Sequence, residues 1–186
     1  MRSTWLTTVW GIDWPSTQGN SESAITSQKN QMIKILDSLA VNNFNSVCFL
    51  VRTMSDAFYK SSYEPWSNWL TGTRGLDPGW DPLAFVVEEC HKRGMECLAW
   101  VNPYRFASET SAWIDGGDGT NYVENGWIID ANSGTKILNP GKPEVIEHII
   151  KVLEEIVVGY DIDGMLFDDY YYNSASDSGD AADYRA

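Results

Sequence analysis

Tyr160-Asp161-Ile162-Asp163-Gly164-Met165-Leu166-Phe167-Asp168-Asp169-Tyr170-Tyr171-Tyr172 decides how this chain is to be read. It has the form of a buried strand, about Gly164 to Asp168, that ends in two adjacent carboxylates followed by three aromatics. In α/β folds the carboxyl ends of parallel strands carry the chemistry. Side chains alternate along a strand. Gly164, Leu166 and Asp168 therefore share one face, and Met165, Phe167 and Asp169 the other. The small Gly164 suits a crowded barrel interior, which aims Asp168 into a site and leaves Asp169 as a supporting group or a helix cap. Asp163, at the start of the strand, falls on the side of a barrel that serves stability.

Upstream, the same strand-and-helix rhythm repeats. Strand-like runs at about Thr4–Trp10, Ser46–Arg52 and Glu96–Asn102 precede the one just quoted. Helical patterns run from about Ser27 to Val41, from Asp81-Pro82 to Gly94, and from Pro143 to Val158. In the first of these, Met32, Ile33, Leu36, Leu39 and Ala40 lie on one helical face. In the second, Asp81 serves as N-cap with Pro82 in the first turn, and Lys92-Arg93-Gly94 closes the helix. Alternating strands and helices predict βαβ units and a parallel sheet. Two long spans, Thr53–Trp80 and about Phe106–Pro140, read as loops, and such length points to function.

A (β/α)8 TIM-barrel type needs eight strands and usually about 250 residues. Four βα units consume almost all of the 186 residues here. The expectation is an α/β fold in which residues 1–186 are the N-terminal part of a single barrel domain, with the first four βα units present.

The strand ends then supply the candidate site. Trp10, Asp13 and Trp14 follow the first strand, Arg52 ends the second, Asn102, Tyr104 and Arg105 follow the third, and Asp168, Asp169 and Tyr170 follow the fourth. A guanidinium beside a carboxylate keeps it ionised and oriented, the role expected of Arg52 and Arg105. Asn102 suits a sugar hydroxyl or a turn bond before Pro103. Trp10, Trp14 and Trp66 are expected as ring platforms, because sugar C–H faces are apolar. Glycoside hydrolysis uses two carboxyl groups. Adjacent residues on one strand point apart, so Asp168 and Asp169 do not form that pair. Asp13, Glu64 and Glu109 are alternatives without a distinguishing context, and a later strand is the simpler source. His91 and His148, in helices beside charged neighbours, are expected to be solvated.

Composition narrows the classes. A net charge of −13 argues against a nucleic-acid partner and leaves no polybasic patch for anionic lipid. No apolar run reaches the roughly 18 residues that a membrane helix needs. Cys48, Cys90 and Cys97 lack C-x-x-C spacing and read as small buried hydrophobes. The nucleotide, zinc-protease and serine-hydrolase motifs are absent. A divalent metal at Asp168 and Asp169 would have a thin oxygen ligand set, so no metal or cofactor is expected.

Several motifs, in order, carry a resemblance. Trp5-Leu6-Thr7-Thr8-Val9 with Asp13-Trp14-Pro15, Val51-Arg52, Glu64-Pro65-Trp66-Ser67 and Gly79-Trp80-Asp81-Pro82-Leu83 begin the series. His91-Lys92-Arg93-Gly94, Ala99-Trp100-Val101-Asn102-Pro103-Tyr104-Arg105, Leu138-Asn139-Pro140-Gly141 and Phe167-Asp168-Asp169-Tyr170 complete it. Together they resemble the glycosyl-hydrolase-like 10 family, also called domain of unknown function 187, over nearly the whole chain. The resemblance implies a TIM-barrel hydrolase of O-glycosidic bonds in a bacterial polysaccharide, with peptidoglycan glycan strands as one substrate. It also implies export to the periplasm or cell envelope, often as a lipoprotein, with the signal absent from this sequence. A chitinase-like pattern would place Glu where Tyr170 stands, so that mechanism is not implied. Two further readings stay open: a non-catalytic carbohydrate-binding or inactive barrel, and a fragment that self-associates through exposed sheet edges.

Overall fold

A computed structural model of the chain describes residues 1–108, 119–130 and 135–168. Its centre is a parallel sheet of four strands: β1 (Ser3–Leu6), β2 (Ser46–Arg52), β3 (Glu96–Val101) and β7 (Gly164–Phe167), in spatial order β1-β2-β3-β7. Each consecutive pair is linked through a helix: α1 (Glu22–Val41), then α3 (Pro82–Lys92), then α4 (Pro143–Gly159). All seven residues of β2 are buried, as a parallel strand covered on both faces requires.

Register fixes which side chains share a face. Cys48 pairs with Leu98 and Leu50 with Trp100; across the next ladder Leu98 pairs with Gly164 and Trp100 with Leu166. The alternate residues, Val47, Phe49, Val51, Cys97, Ala99 and Val101, pack with Met32, Leu36, Leu83, Val86 and Cys90 of the helices in the main core. Gly164, Leu166 and Asp168 thus lie on the face away from the helices, while Met165 packs toward them. A Cβ on Gly164 would stand 2.9 Å from Leu98 Cδ2, so glycine there answers a close strand neighbour.

The helices start and stop for local reasons. Asp81 accepts from the Ala84 amide at 3.1 Å and Pro82 occupies the first turn of α3. Gly94 follows with φ +66, a left-handed conformation that glycine takes without a Cβ clash. α1 begins five residues before the expected Ser27, because Ser21 caps it at the Ala24 amide. Its buried stripe is Ala24, Gln28, Met32 and Leu36. Buried Gln28 is satisfied by Thr17 O, Leu70 O and the Trp80 indole N–H.

Three elements differ from expectation. β1 ends at Leu6, and a single 3-10 turn, Val9–Gly11, takes the chain around Trp10 with φ +55. A short helix, α2 (Asn68–Thr71), lies inside the span expected to be loop. The second expected loop contains a small antiparallel sheet of β4 (Arg105–Ser108), β5 (Ile128–Asp130) and β6 (Thr135–Leu138), in order β4-β6-β5. That sheet closes over a second core of Phe106, Tyr122, Leu138, Val145 and Ile149 against α4.

Candidate active site

The carboxyl ends of β2, β3 and β7 lie side by side, and three polar side chains meet there. Arg52 ends β2 with its side chain 1% exposed. Its Nη1 donates to the Asn102 carbonyl at 2.6 Å and its Nη2 to Ser55 Oγ at 3.1 Å. Asn102 follows β3 and is 2% exposed. Its Oδ1 accepts from the Arg105 amide at 2.9 Å, which turns the chain around Pro103 and leaves Nδ2 directed at Asp168 Oδ2, 3.4 Å away. That distance is at the long end for a hydrogen bond. Asp168 Oδ1 is buried and has no hydrogen-bond partner among the described residues. A buried polar atom without a partner is costly to maintain, and at a strand end it is the atom to which a ligand would be drawn.

Behind this rim lies one of the three carboxylates that the sequence offered without a context to tell them apart. Glu64, on the segment between β2 and α2, accepts on Oε1 from Arg52 Nη2 at 2.6 Å and Arg52 Nε at 3.1 Å. His148 Nε2 lies 3.1 Å from the same oxygen, and the Tyr122 hydroxyl donates to Oε2 at 3.2 Å. Burial pushes the Glu64 carboxyl up, but Arg52 and His148 outweigh it and hold it at about 2. Burial pushes the Tyr122 phenol up, with the Glu64 charge adding to the effect. The backbone delivers Glu64 through a parallel bridge of Ala57 with Trp66 and through Ser61 Oγ, which receives the Glu64 amide at 2.9 Å.

The expected carboxylate partner for Arg52 is thus Glu64, with Asp168 reached through Asn102. His148, expected to be solvated, is 4% exposed. Val145, His148, Ile149, Val152 and Ile156 form the buried stripe of α4, so helical spacing was the available signal. His91 is 35% exposed on its side chain and lies 2.9 Å from Asp163. Asp163 also accepts from the Cys97 amide at 2.7 Å, at the opposite end of the sheet from Asp168.

The remaining expected residues divide. Trp14 is fully buried among Phe49, Phe58 and Trp80, and its indole donates to Gln28 O at 2.9 Å. It offers no face to a ligand, which corrects its expected role as a platform. Asp13 is exposed and accepts from the Thr7 amide at 2.8 Å, closing the turn after β1. Trp66 packs half-buried on the main core. Tyr104 packs on the second core and lines an outer groove of about 360 Å³ with Ile146, Ile150 and Phe167. Arg105 joins the rim through its backbone, its carbonyl accepting from Ser55 Oγ at 3.3 Å. Trp10 keeps an open ring, 56% exposed. Asp169, Tyr170 and Glu109 lie outside the described residues. No group of three or more His, Cys, Asp or Glu able to hold a metal ion occurs among the described residues.

A family model described as glycosyl hydrolase-like 10 matches residues 1–186. The chain belongs to the glycosyl hydrolase-like 10 family. Within reach of this family member are the glycosyl hydrolase YngK of Bacillus subtilis (strain 168), 42% identical over 173 residues, and the glycosyl hydrolase DigH of Escherichia coli (strain K12), 37% identical over 190 aligned positions. Those alignments take in 92% and 96% of this chain but 33% and 43% of the relatives, so the chain spans less than half the length of either. Among solved structures, the α-galactosidase TtGalA of Thermus thermophilus is similar with a TM-score of 0.53 at 15% identity, covering 99% of this chain and 34% of that one. That likeness concerns the fold. It places the glycosyl hydrolase-like 10 chain, with its four parallel strands, in the TIM-barrel fold as part of a barrel.

Proposed function

We propose that this chain carries the strand-end part of an O-glycosidase site in which Asp168 is the reacting carboxylate, as nucleophile or as general base. The single observation behind this reading is the buried, unpartnered Asp168 Oδ1 at the carboxyl end of β7, beside Asn102, in a chain of a glycosyl hydrolase-like family. Glycoside cleavage needs an ionised group at the anomeric carbon or at water, and an acid for the departing oxygen. Asp168 fills the first role. Asn102 holds Asp168, and Asp169 supports it from the next position. Trp10 supplies the open aromatic face that a pyranose would stack on.

Glu64 does not supply the second carboxyl group, because Arg52, His148 and Tyr122 occupy it and seal it from solvent. The acid belongs to a part of the protein outside the described residues. The substrate class we assign is a bacterial polysaccharide, with peptidoglycan glycan strands as the first to assay, and the compartment is the cell envelope.

The test is Asp168→Asn in the natural full-length protein, assayed for new reducing ends on purified cell-wall glycan. Loss of turnover by a factor on the order of 100 or more, the usual worth of a positioned acid or base, is the expected result. Unchanged turnover would remove Asp168 from the mechanism. Saturable glycan binding by the unmodified protein without any product would instead favour a binding module of the same fold.

A further inference from the structure

We infer that Glu64 is a positioning residue for the reaction: through Arg52 and Asn102 it fixes the carboxylate of Asp168. This rests on the reading of Asp168 as the reacting group.

The inference follows from where the hydrogen bonds lead. Glu64 takes two donors of Arg52 on one oxygen. That fork aims the remaining Nη1 donor at the Asn102 carbonyl, at 2.6 Å. The Asn102 amide in turn donates to the Arg52 carbonyl at 3.1 Å. Arg52 therefore holds the Asn102 backbone from both sides. With that peptide fixed and its Oδ1 engaged by the Arg105 amide, Asn102 has its Nδ2 left for Asp168.

Ser55 braces the same assembly, accepting from Arg52 and donating to the Arg105 carbonyl. Its φ of +50 is a strained value for a residue with a Cβ, and such strain persists only where surroundings over-determine it. Glu64 itself never meets a ligand, since both of its oxygens are occupied and its side chain is 0% exposed. A merely structural buried ion pair would end on itself. This one ends, two residues on, at a carboxylate that Asn102 holds by Oδ2 and whose Oδ1 has no partner among the described residues.

Removing the Glu64 charge leaves Arg52 as a buried cation without its counter-ion, which is strongly unfavourable. Arg52 must then shift, and Asn102 with it. The chemical step suffers while distant sugar contacts do not.

The experiment compares four variants of the natural full-length protein: Glu64→Gln, Glu64→Asp, Asp163→Asn and Asp168→Asn. Thermal unfolding, kcat and KM are measured on the same glycan. Asp163→Asn is the control, because it takes the charge out of a tie of β3 to β7 at the far end of the sheet. The expected result is a fall in kcat of at least tenfold for Glu64→Gln with KM within threefold. Glu64→Asp, which keeps the charge at shorter reach, recovers part of kcat, and Asp163→Asn lowers Tm alone. Should Glu64→Gln fail to fold, Glu64→Asp against Asp163→Asn at matched Tm carries the comparison. The inference is overturned if kcat follows Tm equally in all of them, or if Glu64→Gln keeps full turnover while Asp168→Asn loses it. Full turnover in Asp168→Asn overturns the underlying reading as well, which separates the two failures.

Discussion

Replacing Trp14 by alanine removes an indole that is buried against Phe49, Phe58 and Trp80 and that donates to Gln28 O. We expect a stability loss of about 3–5 kcal/mol in urea unfolding. Trp10→Ala, four positions earlier on an exposed turn, should change stability by less than about 0.5 kcal/mol and weaken glycan binding in a titration. The reverse ranking would show that the two rings had been assigned wrongly. The sequence contained both tryptophans just after a strand but not which one turns inward, because a cap six residues on, Asp13 to the Thr7 amide, sets the turn. The strand-end residues Arg52, Asn102 and Asp168 were legible, since an apolar strand that ends in a polar side chain places it by parity alone. Glu64 was not, because it lies on a segment without periodicity and its partners come from β2, α4 and the span before β5.

At the scale of elements, Glu64 joins the β2–α3 segment to α4 through His148, so this contact should respond to acid. Its folded pKa lies below the ordinary carboxylate value of 4.5, at about 2. The stability it contributes is present above pH 4.5 and is lost as pH falls toward 2. We expect a decline on the order of a few kcal/mol across that window, followed through denaturant midpoints at several pH values. In Glu64→Gln the part of the decline due to this group should be gone; an identical pH profile would contradict the pKa direction. Helix α3 was readable to the residue at its start because Asp81 and Pro82 are both positional signals. The β4-β6-β5 sheet was not, because strands of three or four residues are too short for alternation to declare itself. The early start of α1 was hidden in a polar first turn.

For the whole molecule, the order β1-β2-β3-β7 and its three helical crossovers follow from the alternation of apolar runs, and the described residues contain it as read. One consequence is the fate of the thiols. Cys48, Cys90 and Cys97 are free and buried, and the contact with Cys90, with burial adding to it, pushes the Cys97 thiol up. A chromogenic disulfide reagent should therefore titrate no thiol promptly in the native protein and all three in denaturant. Prompt reaction of any one would place it outside the core.

The segment between β2 and α3 is long enough to be taken for a flap. It is riveted instead: the Lys60 amide and Asp81 meet the Tyr160 hydroxyl, Ser61 and the Ser62 amide meet Glu155, and Glu64 meets His148. A ligand reaching Asp168 would therefore meet this segment as part of the frame that α4 holds, with ties at Lys60, Ser61, Ser62 and Glu64 to break before it could swing aside.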